Sequence, residues 1–113
     1  MFNFEESEAA PSVSTHKEYP IVSIWSLNHS LFPGPRASVV GKVTALVSAP
    51  DGDTHMNVTD SSNNTMIIEF VPEYPVKLPA MGQQIRVWGV TRFDMNHRWW
   101  ELHPAFGWEE IMF

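Results

Sequence analysis

The stretch "APDGDTHMNVTD", residues 49–60, sets two aspartates around a glycine and places a histidine two positions after the second. Carboxylates and imidazoles are donors for divalent metal ions, and a carboxylate beside an imidazole can also fix its tautomer. A second set of such residues lies in "RWWELHP", where Trp99, Glu101 and His103 alternate with Trp100 and Leu102. If a strand begins near Asp53, then Asp53, His55 and Asn57 project to one face and Thr54, Met56 and Val58 to the other. Met56 and Val58 mark the core side, so the acid and the histidine face outward. The same alternation sends Trp100 and Leu102 inward and Trp99, Glu101 and His103 outward. Two strands would each offer a carboxylate and an imidazole two residues apart. A divalent metal on Asp51, Asp53 and His55 is one outcome. A structural hydrogen bond from the His55 ring to Asp53 is the expected one, because a dedicated zinc site brings three or four strong ligands. "PDGD" is also an ordinary turn, with Pro50 suited to its second position and Gly52 to positive φ. The expectation is therefore no cofactor, with a divalent metal as the exception.

A second chemistry is stacking. Trp88, Trp99, Trp100 and Trp108 fall in the last third of the chain, close to Arg86, Arg92 and Arg98. Proteins that hold single-stranded nucleic acid stack bases on aromatic rings and line the groove with cations. Glu101, Glu109 and Glu110 offset that charge locally. Asp53, His55, Trp99, Glu101, His103, Arg86, Arg92 and Arg98 are the ligand-binding candidates; no residue is assigned a catalytic role. The competing account buries Trp99 or Trp100 in the core and packs the other under a segment around Trp25.

These side chains need a scaffold. "SVVGKVTALVSA" is rich in β-branched residues, with Gly41 marking a bend or bulge. "HMNVT" alternates, "DSSNN" is a turn cluster, and "TMIIEFV" answers as a hairpin partner. A proline-rich connection, "PEYPVKLPAMGQ", leaves little room for a helix. "QIRVWGVTRF" and "RWWELHP" form a second hairpin, the last strand stopping at Pro104. Strands are expected near 38–48, 54–59, 65–71, 84–93 and 98–103. A long bent strand, a hairpin, a long connection and a hairpin make the plan of an all-β, five-stranded OB-fold-like barrel. Residues 37–113 form that domain. Residues 1–18 are acidic and read as a flexible tail, and residues 19–36 as an apolar segment packing on the domain. "YPIVSIWSLNHSLFPGPR" suits a short helix or a strand, and periodicity alone leaves the choice open.

Two resemblances follow from these motifs. "VTALVSAPDGDT" resembles the strand entry of staphylococcal-nuclease-like OB domains, which implies calcium near Asp53. The arginine those nucleases place in a following strand is missing from "TMIIEFV". Across about Val43 to Ala105 the chain is similar to a group of small bacterial OB-fold-like proteins carrying DGDxH, MIxE and ELHP in this order. The matching residues are Asp51, Gly52, Asp53 and His55; Met66, Ile67 and Glu69; His97; and Glu101, Leu102, His103 and Pro104. That resemblance implies the fold and a shared polar site, and no particular reaction.

The 113 residues suffice for one domain, and 43% hydrophobic content supports a packed core. Cys is absent, which excludes disulfides and thiolate metal sites. The formal charge of −6 argues against tight nonspecific binding to duplex DNA. No run approaches the ~20 apolar residues that span a bilayer, and the acidic N-terminus does not read as a signal peptide. The expected compartment is the cytoplasm, with no membrane contact. The leading reading is a noncatalytic OB-fold binding module for single-stranded nucleic acid or oligonucleotide. The alternatives are a protein-interaction or structural subunit, and a metal-dependent phosphodiesterase.

Overall fold

In the computed structural model, which describes residues 17–32 and 34–112, five strands close a barrel. They are β1 (Arg36–Ser48), β2 (Thr54–Thr59), β3 (Thr65–Phe70), β4 (Gln84–Asp94) and β5 (Trp99–Glu110). Around the barrel they run β1-β2-β3-β5-β4, and β4 returns to β1. All pairs are antiparallel except β3 with β5. This is the OB-fold plan. Nearly all of the expected 1–18 tail lies outside the described residues.

One long strand serves both edges of the sheet. Arg36 to Lys42 pair with β4, while Lys42 to Ser48 pair with β2. The two ladders meet at Lys42, next to Gly41. A Cβ on that glycine would stand 2.6 Å from the Thr59 carbonyl oxygen, so only glycine lets the strands approach this closely. The interior is filled by Val39, Val43, Met56, Val58, Met66, Ile68, Ile85, Val87 and Leu102, all within 1% of full burial.

The N-terminal segment resolves into a strand-like bridge and a short helix. Ile21 bridges to Ser38, and the Val22 N–H donates to the Ser38 carbonyl. α1 (Ile24–Asn28) follows, with the Ser23 side chain accepting from the Ser26 N–H as an N-cap. Val22, Ile24 and Leu27 join the barrel core, and α1 rests against β3 and β5. Among the described residues no helix is long and apolar enough to cross a membrane.

The fifth strand corrects the sequence reading. It passes Pro104 and continues to Glu110. The β4–β5 pairing goes from Thr91↔Leu102 to Gly89↔Ala105, so His103 and Pro104 together face a single residue, Val90. At such a bulge no ladder donor is required, and proline is tolerated. Gly89 makes room: a Cβ on it would run into the Pro104 carbonyl and lie 2.8 Å from Ala105 Cα.

Candidate functional site

Barrel register gathers the polar residues. His55 stands opposite Glu69 across β2–β3, Ile67 opposite Glu101 across β3–β5, and Glu101 opposite Arg92 across β4–β5. Their neighbours Met56, Ile68 and Leu102 point inward. By the two-residue period, His55, Glu69, Glu101, His103 and Arg92 share the outer face.

That outer face is not open water. The Glu101 side chain is only 2% exposed and that of Glu69 only 11%. The His103 Nδ1 atom lies 3.2 Å from Glu101 Oε1 and 3.6 Å from Glu69 Oε1. His55 Nε2 approaches the same Glu69 oxygen at 3.4 Å. The Trp99 indole N–H donates to Glu101 Oε2 at 3.2 Å. Burial, then the neighbouring Glu101 carboxylate, push the Glu69 pKa above the ordinary carboxylate value, and the two imidazoles oppose the rise.

Arg92 Nη1 sits 2.7 Å from His103 Nδ1. A guanidinium only donates, so with Arg92 in place Nδ1 must accept and the ring proton must sit on Nε2. A proton on Nδ1 would instead serve Glu101 and turn Arg92 away. His103 therefore has two mutually exclusive states at one nitrogen. Two donor groups could hold a metal: Asp53 with His55 and Glu69, and Glu69 with Glu101 and His103, the atoms of each group lying within 4.8 Å of one another.

Next to this cluster lies a cleft of about 400 Å³ lined by Asn28, Thr65, Ile67, Phe93, Arg98, Trp99 and Trp100. Trp99 is 40% exposed, and its ring stacks on His97 with centroids 4.4 Å apart and planes 6° from parallel. Trp100 is half-buried, its indole N–H donating to the Ser30 hydroxyl and its ring edge-on to Phe32 and Phe93. Asp94 organises the β4–β5 turn, accepting from the backbone N–H groups of Asn96 and His97 and from the His97 ring. That ring contact raises the His97 pKa and lowers that of Asp94.

The structure thus brings together Asp53, His55, Glu101, His103 and Arg92, with Trp99 and Arg98 beside them. Two expected residues stand apart. Arg86 is 1% exposed, pairs with Glu109 at 3.3 Å, donates to the Tyr19 carbonyl and lies over the Trp88 ring at 4.8 Å. It is held against the N-terminal segment, apart from the outer-face cluster. Asp51 accepts from the Asp53 N–H within the turn and belongs to neither donor group. The expected His55–Asp53 hydrogen bond is replaced by the His55–Glu69 contact. Glu101, read from alternation as outward, is outward and buried. Among the residues that the ligand-binding list missed, Glu69 is central. Only the MIxE resemblance pointed to it; the hairpin register that sets it opposite His55 would have found it. Phe93 and Asn28 carried no signal, because their place in the cleft depends on tertiary packing.

No family model matches the chain, and no curated protein matches it. Among solved structures, a chain of the S. pombe Stn1–Ten1 complex superposes with a TM-score of 0.60 at 20% identity, covering 73% of this chain and 62% of that one. The chain therefore spans less than two thirds of that relative. The hypothetical protein ygiW from E. coli superposes with a TM-score of 0.60 at 13% identity, covering 83% of this chain and 92% of that one. At these identities the likeness is one of fold.

Proposed function

We propose that this OB-fold barrel is a binding module for single-stranded nucleic acid. The strand crosses the outer face of β2 and β3 and the start of β5. One base enters the cleft and stacks on Trp99, with Arg98 and Arg92 meeting phosphates. The observation that carries this reading is the cleft itself. It holds a half-exposed indole oriented by two contacts, a stacked imidazole behind it and an exposed guanidinium beside it. It adjoins the loop after β4, one of the two loops where OB folds take oligonucleotides. Stacking on an aromatic ring contributes ~1–3 kcal/mol per base and is tolerant of sequence.

The test is fluorescence anisotropy with a labelled single-stranded oligonucleotide, at ~50 and ~200 mM salt, with and without divalent metal. Two phosphate contacts give a slope of about −1.4 in log affinity against log salt, and so about a sevenfold loss over that range. Absence of binding under every condition overturns the reading. A protein partner would then take its place, for which the exposed Ile21, Trp25 and Leu31 provide apolar surface. Metal-dependent cleavage of the probe would point to the phosphodiesterase alternative.

A further inference from the structure

We propose that Glu69, Glu101 and His103 form a site for one divalent transition-metal ion of the zinc class, with water completing its shell. Spacing is the first argument. Donors at ~2.0–2.2 Å from a tetrahedral zinc stand about 3.3–3.6 Å from one another. The donor separations are 3.2 Å for His103 Nδ1 to Glu101 Oε1 and 3.6 Å for His103 Nδ1 to Glu69 Oε1, and the three donor atoms lie within 4.8 Å of one another. The two histidine separations match an edge of such a tetrahedron within a few tenths of an ångström.

Support from outside the donor set is the second argument. The donors come from β3 and β5, fixed to each other by the pairs Ile67↔Glu101 and Ile68↔Leu102. The Trp99 indole holds Glu101 Oε2, which leaves Oε1 turned to the histidine. Such an outer contact orients a carboxylate ligand. Charge is the third argument. Two carboxylates lie side by side in a largely buried place, where ionising both is unfavourable without a cation. Arg92 now supplies positive charge at the His103 lone pair, 2.7 Å from Nδ1. Its side chain belongs to an exposed residue, so it can leave when an ion takes that lone pair. An imidazole mixed with carboxylates suits zinc-like ions better than calcium, which takes about six to eight oxygens.

The site goes beyond the single-strand reading and stands without it. It also places a cation on a face whose carboxylates would otherwise repel phosphate. The test is calorimetric titration of the metal-free full chain with zinc chloride, paired with visible absorption of the cobalt(II) form. One ion per chain and the strong visible bands of tetrahedral cobalt are expected. Glu69→Gln and His103→Ala should each weaken zinc binding at least tenfold. His29→Ala, an exposed histidine outside the set, should leave it unchanged. Arg92→Ala should tighten it, which loss of a merely structural contact would not do. No binding by the wild type would overturn the proposal. So would zinc affinities in Glu69→Gln and His103→Ala equal to that of the wild type. No nucleic acid is present, so neither result depends on the stacking cleft.

Discussion

Truncating Glu101 separates a buried network from a solvated surface acid. Its side chain is 2% exposed, accepts the Trp99 N–H at 3.2 Å and lies 3.2 Å from His103 Nδ1. In metal-free, chelator-treated buffer, Glu101→Ala removes one buried methylene, worth ~0.8 kcal/mol. It also removes a hydrogen bond to a charged acceptor, worth ~1.5–3 kcal/mol. Relief of the repulsion between Glu101 and Glu69 offsets part of this, leaving a net cost of about 1.5–3 kcal/mol. Glu101→Gln keeps the methylenes and one acceptor oxygen while discarding the charge, so its cost should be about 1 kcal/mol or less. Urea unfolding followed by tryptophan fluorescence reads both. A solvated surface carboxylate would lose only ~0.5 kcal/mol or less on truncation. Such a small loss in Glu101→Ala would refute the burial argument. A Gln variant as damaged as the Ala variant would refute the assignment of the cost to packing and hydrogen bonding.

Leu102→Ala, at a fully buried position, should cost about 3–4 kcal/mol, and Trp100→Ala, at a half-buried one, about 2–3 kcal/mol. The reverse order in urea unfolding would place Trp100 in the core instead. Gly89→Ala forces a methyl against the Pro104 carbonyl and should cost about 2–3 kcal/mol; a neutral effect would mean the bulge can move aside. His97 should titrate above its ordinary ~6.5, because the Asp94 carboxylate accepts from its ring. With the folded-state value raised, the stabilisation is fully present below the unfolded pKa and fades as pH rises through the folded one. An NMR titration should return His97 to about 6.5 in Asp94→Asn; equal values in both proteins would remove the pairing.

Much of the barrel was legible because strand signals are local. Alternation in "HMNVT" and the turn cluster "DSSNN" place β2 and β3 within a residue of their observed ends. Gly41 marked the close approach of β1 to the Thr59 backbone through the same cue, a missing side chain where two strands must meet. Pro104 misled because its effect depends on what lies opposite. Within a bulge of β5, opposite the single residue Val90, it ends nothing. The site was half legible. Alternation assigned His55, Glu101 and His103 to the outer face, yet it carries no knowledge of which strands adjoin. The parallel β3–β5 contact that brings Glu69 to Glu101 is nonlocal, and so is the N-terminal segment that covers Arg86. Alternation gives the outward direction alone; neighbouring strands with their long side chains decide that Glu69 and Glu101 are buried there.

The most direct test of the single-strand reading is an NMR titration of the isotopically labelled chain with a short, unlabelled single-stranded oligonucleotide. The account predicts that the Trp99 indole N–H resonance and the backbone amides of Ile67, Phe93 and Arg98 shift first, and that Trp99→Ala weakens binding by roughly five- to a hundredfold, the equivalent of one stacked base. Shifts confined to the far side of the barrel, around Tyr74 and Phe106, would contradict it. So would an affinity in Trp99→Ala equal to that of the wild type.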